Sequence, residues 1–216
     1  METKLFDTIR EALEELDRDR VLENLSKALY EGIPPEDIIS EALSKGMDTI
    51  GRRFDDGDLF LPQILVASKI MDDAMAILSE RMNEDITDRR RAIVVMGTVS
   101  GDIHDIGKNV CVAMLRGARY EVIDLGSDVS PEDFVKSVVE HSADAVGASS
   151  LMTTTLVAQK NLVKTMKEFG CNALKLFGGA PCSEEWVQSI GGDGYSASGR
   201  EMVLLVDRLL DTKDPD

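Results

Sequence analysis

From Ala92 onward, short apolar runs alternate with helix-length amphipathic segments, and this alternation limits the possible folds more than any other feature of the chain. The runs are Ala92–Met96, Tyr120–Leu125, Ala145–Ser149 and Ala173–Phe177, with a weaker one near Gly194–Ser196. Helical segments are expected at about 107–117, 131–141, 155–169, 183–190 and 199–211. The second opens on Ser130-Pro131, an N-cap hydroxyl followed by a ring already set at helical φ. The first apolar run, AIVVM, is continuously apolar, as burial on both faces demands. Five strand–helix repeats therefore predict a doubly wound, five-stranded parallel sheet with helices on both sides. Such sheets bind ligands beyond the carboxyl ends of their strands, so the loops there carry the chemistry.

Residues 1–82 follow a different rule. Leu5, Phe6, Ile9, Ala12, Leu13 and Leu16 recur at helical spacing, as do Val21, Leu22, Leu25, Ala28 and Leu29. Pro34-Pro35 can open a third helix carrying Ile38, Ile39, Leu43, Gly46, Met47 and Ile50. A fourth begins near Leu61 and runs through Ile64, Leu65, Ser68, Met71, Met75 and Leu78. Four such helices predict a small bundle over 1–82, with pairs such as Glu14-Glu15 on solvated faces. The polar stretch 83–91, NEDITDRRR, breaks the periodicity and reads as a linker to an α/β domain over 92–216.

The chain has 24 Lys and Arg against 40 Asp and Glu, a net charge of −16. That surface repels phosphate backbones and argues against a nucleic-acid ligand. No run approaches the roughly 20 apolar residues of a bilayer span, so no membrane partner is expected. The N-terminal twenty residues are charged within every turn and do not read as a secretory signal. Cys111, Cys171 and Cys182 form no C-x-x-C pair, which predicts a reduced, cytoplasmic protein without a thiolate zinc site.

The first strand-end loop, Gly97–Asn109, contains His104, one of two histidines. A phosphate loop fails on spacing: Gly101 and Gly107 enclose five residues, Lys108 is followed by Asn109, and Asp102 and Asp105 would repel phosphate. A capping or surface histidine is the bland alternative. The position favours a metal ligand, because Asp102 can accept a hydrogen bond from one ring nitrogen and leave the other to donate to a metal. One histidine is too few for a bare zinc or iron ion but enough for a metal already held in a macrocycle. After the third strand comes Gly147–Thr155, rich in small hydroxylated residues; after the fourth comes Gly178-Gly179, where backbone can meet a ligand. Each is common in ordinary turns; their coincidence at successive strand ends fits a large flat cofactor.

Asp102-Ile103-His104-Asp105-Ile106-Gly107 has the form D-x-H-x-x-G, Ser149-Ser150-Leu151 the form S-x-L, and Gly178-Gly179 the form GG. In that order, with FLPQ (Phe60–Gln63) ahead of them, these residues resemble the signature of cobalamin-binding domains. The resemblance covers nearly the whole chain. It is similar to the cap and cobalamin domains of methionine synthase and, as a two-domain chain, to the corrinoid proteins of methylotrophic methyltransferase systems acting on methylamines, methanol, betaines or methoxyaromatics. It implies a four-helix cap before a flavodoxin-like cobalamin-binding domain. The implied cofactor is cobalamin or a related corrinoid, held base-off/His-on. His104 is implied as the lower axial ligand of cobalt and Asp102 as its hydrogen-bond partner. Thr155 would complete the relay where the family often has serine. Gly101, Asp105, Ile106 and Gly107 fall in the same cofactor-binding loop. Ser149, Leu151, Thr153, Gly178 and Gly179 would line a channel for the displaced nucleotide tail, with Tyr195 as a further contact. Phe54 and Leu61 match cap residues over the upper, methyl-bearing face.

The implied function is a methyl carrier. Cobalt(I) accepts a methyl group from a substrate-specific methyltransferase and passes it to an acceptor methyltransferase of tetrahydrofolate or coenzyme M type, with a reductive activase as a further partner. Six-coordinate methyl-cobalt(III) would bind His104; cobalt(I) would release it as the Asp102–His104 pair takes up a proton. The chain has no methyl-donor pocket of its own, so a non-catalytic subunit is expected. A cobalamin-dependent sensor is the alternative; the charge of −16 and the lack of a basic recognition segment argue against a DNA-binding version. A phosphoacceptor signalling domain would leave the S-x-L and GG loops unexplained.

Overall fold

The structure, a computed structural model, describes residues 2–79 and 92–211, so the predicted linker at 83–91 lies outside the described residues. The chain divides into two compact units: Met1–Arg90 with Arg116–Ala118, and Arg91–Leu115 with Arg119–Asp216.

The helical unit contains α1 (Glu2–Glu14), α2 (Arg18–Tyr30), α3 (Pro35–Ile38), α4 (Ser44–Asp55) and α5 (Leu61–Ser79). Leu16 does not continue the first helix. It takes a left-handed φ of 62°, Leu16 N donates to Leu13 O at 3.0 Å and Asp17 N to Ala12 O at 2.9 Å, closing the helix end. Asp17 then caps α2, accepting from Arg20 N. The third helix contains a π turn, Ile39–Leu43, between α3 and α4. Its buried residues come in pairs four apart: Ile38-Ile39, Ala42-Leu43, Gly46-Met47 and Ile50-Gly51. A period of four drifts by about 40° per repeat on a 3.6-residue helix, and the wider turn absorbs part of that drift. At the start of α5, Gln63 Oε1 accepts from Phe60 N at 2.8 Å, the reciprocal half of a capping box and a physical reason for the FLPQ sequence.

The second unit is a five-stranded parallel sheet in the order β2-β1-β3-β4-β5. Its strands are β1 (Ile93–Thr98), β2 (Glu121–Asp124), β3 (Ala145–Ser149), β4 (Leu174–Gly178) and β5 (Gly194–Tyr195). Between and after them run α6 (Ile106–Gly117), α7 (Pro131–Glu140), α8 (Leu156–Glu168), α9 (Glu184–Ile190) and α10 (Gly199–Asp211). Strand parity sorts the core into two layers. Ile93, Val95, Val146, Ala148 and Phe177 cluster with Phe134, Leu162, Met166 and Val187 from α7, α8 and α9. On the other face, a Cβ on Gly147 would meet Met96 and Met202 of α10, and one on Gly194 would meet Leu205. The architecture is the predicted doubly wound α/β fold. Among the described residues no helix is long and apolar enough to cross a membrane.

Cys182 is buried in the first of these layers. Burial pushes its thiol up to about 11, against smaller lowering contributions from hydrogen bonds with Ser183 and Gln159. The thiolate fraction at neutral pH is then only about 10⁻⁴. Native protein treated with iodoacetamide at neutral pH is expected to leave Cys182 unmodified and to alkylate it once denatured; peptide mass spectrometry before and after unfolding checks this.

Candidate functional site

Thr98, Ser149 and Gly178 are the last residues of β1, β3 and β4, and they are register partners across the sheet. The three loops singled out in the sequence therefore leave the sheet side by side. The strand order reverses between β1 and β3, where a doubly wound sheet opens its crevice.

The loop after β1 turns at Gly101, whose φ of +82° suits glycine. Gly101 N donates to Asp128 Oδ1 at 2.7 Å, and Asp128 N donates to Asp102 O at 3.0 Å. Thr98 Oγ1 donates to His104 O at 3.2 Å. The His104 loop is thus pinned from the β1 end and from the loop after β2. Beneath it, buried Lys108 donates to both carboxylate oxygens of Asp124, at 2.6 and 2.8 Å, and to Asn109 Oδ1 at 2.6 Å. Asp124 Oδ1 in turn accepts from Gly126 N at 2.9 Å. The lysine that failed as a phosphate ligand anchors the neighbouring loop.

Asp102 is fully buried. Its Oδ1 accepts from His104 Nδ1 at 2.7 Å and from His104 N at 3.0 Å. Its Oδ2 faces Leu151 N at 2.7 Å, Thr155 Oγ1 at 2.9 Å and Met152 N at 3.3 Å. Burial by itself would raise this carboxyl. The hydrogen bonds from His104, Leu151 and Thr155 outweigh burial and hold it well below the usual carboxylate range. Asp102 is therefore ionised and can only accept, so Nδ1 of His104 carries a proton and donates it. In the neutral ring Nε2 then bears the lone pair. The His104 side chain is 48% exposed, and Nε2 has no hydrogen-bond partner among the described residues.

Thr155 is buried, and its hydroxyl lies 2.8 Å from that of Ser150, also buried. Ser150 was part of the S-x-L match but not a predicted site residue; its proximity to Thr155 arises from the turn 150–155 and has no sequence signal. Asp128 and Lys108 were likewise missed. Gly178 O accepts from Ser150 N at 3.1 Å. A Cβ on Gly179 would lie 1.8 Å from Ser150 O, so the S-x-L and GG loops touch backbone to backbone.

The structure thus brings together Gly101, Asp102, His104, Leu151 and Thr155, with Ser149, Gly178 and Gly179 next in line. Asp105 is half-buried and accepts from Asn109 N through its carbonyl. Gly107 is exposed in the first turn of α6, and Thr153 is exposed on the loop after β3. Tyr195 packs, half-buried, against the hydrophobic cluster that contains Phe177 and Cys182. Phe54 and Leu61 are half-buried in the helical unit, at the end of α4 and the start of α5.

Two observations test whether a corrinoid suits this site. Among the described residues no group of three or more His, Cys, Asp or Glu is arranged to hold a bare metal ion. A lone imidazole with its lone pair outward suits a metal whose other ligands arrive with it. Around it, Ile103, Ile106 and Leu151 are 75%, 67% and 46% exposed, an apolar surface left for a flat macrocycle to cover. The residues fit the group.

A carboxylate-steered imidazole at the crevice of a doubly wound sheet, on a chain with a separate helical unit, defines a cofactor-binding α/β module. The comparisons give its kind. The chain belongs to the B12-binding family: a B12 binding domain matches residues 92–204, and a second B12 binding domain matches residues 5–79. A corrinoid protein of Desulfitobacterium hafniense is 38% identical over 210 residues, covering 95% of this chain and 97% of the relative. A dimethylamine corrinoid protein of Methanosarcina acetivorans is 37% identical over 208 residues, covering 95% of this chain and 97% of the relative. The crystal structure of a methanol:cobalamin methyltransferase complex from Methanosarcina barkeri matches with a TM-score of 0.79 at 30% identity, over 96% of this chain and 80% of that chain.

Proposed function

We propose that this chain is a methyl-carrying corrinoid protein, loaded by a substrate-specific methyltransferase and unloaded by an acceptor methyltransferase of tetrahydrofolate or coenzyme M type. A reductive activase would return it to the working state, and the setting would be the cytoplasm. The names of its relatives support a methylamine or methanol system. The observation that carries the reading is the Asp102 carboxylate, buried and ionised, which holds Nδ1–H of His104 and leaves Nε2 free to coordinate.

When bound base-off/His-on, the corrinoid supplies a cobalt centre that takes up and gives back a methyl group. The chain's own residues hold and tune it. His104 Nε2 would ligate the cobalt. Asp102 fixes the tautomer and the aim of the ring through its hydrogen bond with Nδ1. Leu151 N and Thr155 Oγ1 hold the carboxylate still from the β3 loop. An imidazole without a metal on Nε2 could hold a proton at that atom, and the ionised Asp102 carboxylate beside Nδ1 would balance its charge. Ile103, Ile106 and Leu151 would form the apolar bed, with Gly101 and Asp105 shaping the loop beside it and Gly107 the first turn of α6. Ser149, Leu151, Thr153, Gly178, Gly179 and Tyr195 would take the nucleotide tail, and Phe54 and Leu61 would serve to exclude water from the bound cofactor.

The test is the visible spectrum of cobalamin-loaded protein, followed by methylation with matched methyltransferases. A His-on spectrum and methyl transfer in both directions are expected; a protein that binds no corrinoid overturns the reading. Asp102→Asn is expected to lower corrinoid affinity about 10–100-fold, read by spectral titration. The same carboxylate sets an acid limit. Its folded form titrates below its unfolded form, so its stabilising contribution is present at neutral pH and is lost as pH falls through and below the ordinary carboxylate range. Urea denaturation across that range is expected to show a shallower acid decline in Asp102→Asn.

A further inference from the structure

Gln159 sits on α8 with its side chain fully buried. Its Nε2 donates to Ala148 O at 3.0 Å and to Gly178 O at 3.1 Å. Its Oε1 accepts from Trp186 Nε1 at 2.9 Å and from Cys182 Sγ at 3.6 Å. Both amide hydrogens and the amide oxygen are thus used, without solvent. The carbonyls it holds belong to β3 and β4 just before their loops depart, and Gly178 O is the one that Ser150 N also meets. A single side chain therefore ties together the roots of the S-x-L and GG loops. The amide has two faces that differ by a flip, and the Trp186 indole, which can only donate, selects the face that directs Nε2 at the two carbonyls.

We infer that Gln159, oriented by Trp186, is a positioning residue that sets the spacing of the S-x-L and GG loops and so determines how well this protein accepts the nucleotide tail of its corrinoid. This rests on the corrinoid reading above. It adds a residue from outside the three loop motifs, acting on the tail and not on the metal. Its position explains the separation of effects: the amide touches the β3 and β4 ends, whereas Asp102, which holds His104 through Oδ1, is itself held through Oδ2 by Leu151, Met152 and Thr155 farther along the β3 loop.

The experiment compares two probes, hydroxocobalamin, which carries the tail, and cobinamide, which lacks it. Both are titrated into wild type, Gln159→Met and Trp186→Phe. Gln159→Met keeps length and removes every hydrogen bond; it is expected to weaken hydroxocobalamin binding about tenfold, the loss that follows when buried partners go unmade. Cobinamide affinity should stay within about twofold of wild type, a range close to experimental scatter. Trp186→Phe retains the amide but frees its flip, and the same selective loss is expected at about threefold, for one hydrogen bond. Should Gln159→Met fail to fold, Trp186→Phe decides. Equal losses for both probes, or no loss for either, would overturn the assignment. A wild type that binds neither probe would overturn the corrinoid reading, and the assignment with it.

Discussion

His104→Ala, loaded with cobalamin, is expected to show a base-off spectrum without a protein nitrogen on cobalt. Its affinity should fall beyond the roughly 10–100-fold expected for losing only a supporting residue. The reason is the single-donor site: among the described residues no second cluster could hold the metal. Free imidazole added to the variant should restore the ligated spectrum, because Ile103, Ile106 and Leu151 would still bed the ring. An unchanged His-on spectrum in the variant would sink the assignment of the ligand.

The second large effect is expected at Gly179. Its φ of +116° lies in the region that L side chains avoid. A Cβ there would sit 1.8 Å from Ser150 O and 2.6 Å from Ser150 C, both rigid backbone atoms. Strain and overpacking together predict that Gly179→Ala destabilises the α/β unit by about 2–6 kcal/mol. Urea denaturation measures it. A loss below about 1 kcal/mol, the ordinary scatter of point substitutions, would mean that the two loops do not meet as closely as described. By contrast Gly107 has open space around it, and Gly107→Ala is the natural control.

Much of the fold could be read from the residues because each signal was local and redundant. Ala145–Ser149 is a strand in both readings, since a continuous apolar run of that length has few other options. Ser130 caps α7 as expected, its hydroxyl accepting from Asp133 N. The spacing in the third helix predicts a single regular one; its π turn follows from burial every fourth residue, a pattern visible only once the core is known. Helical spacing puts Leu16 on a helix face, yet tertiary context places it in a left-handed cap that propensity disfavours. At the site, the Asp102–His104 contact was legible from a two-residue spacing. The partners of Asp102 Oδ2 were not, because they come from the loop after β3, some fifty residues later. Asp128, Ser150 and Gln159 share that origin: their roles are created by crossover connections, and nothing in their own neighbourhoods announces them.

Asp102 takes one oxygen's partners from its own loop and the other's from the connection that follows β3. The aim of the imidazole is consequently joint property of two segments. Transplanting the histidine segment alone into another scaffold of this topology would import a nitrogen without its bearing, whereas moving both segments as a pair would carry the direction along with the donor.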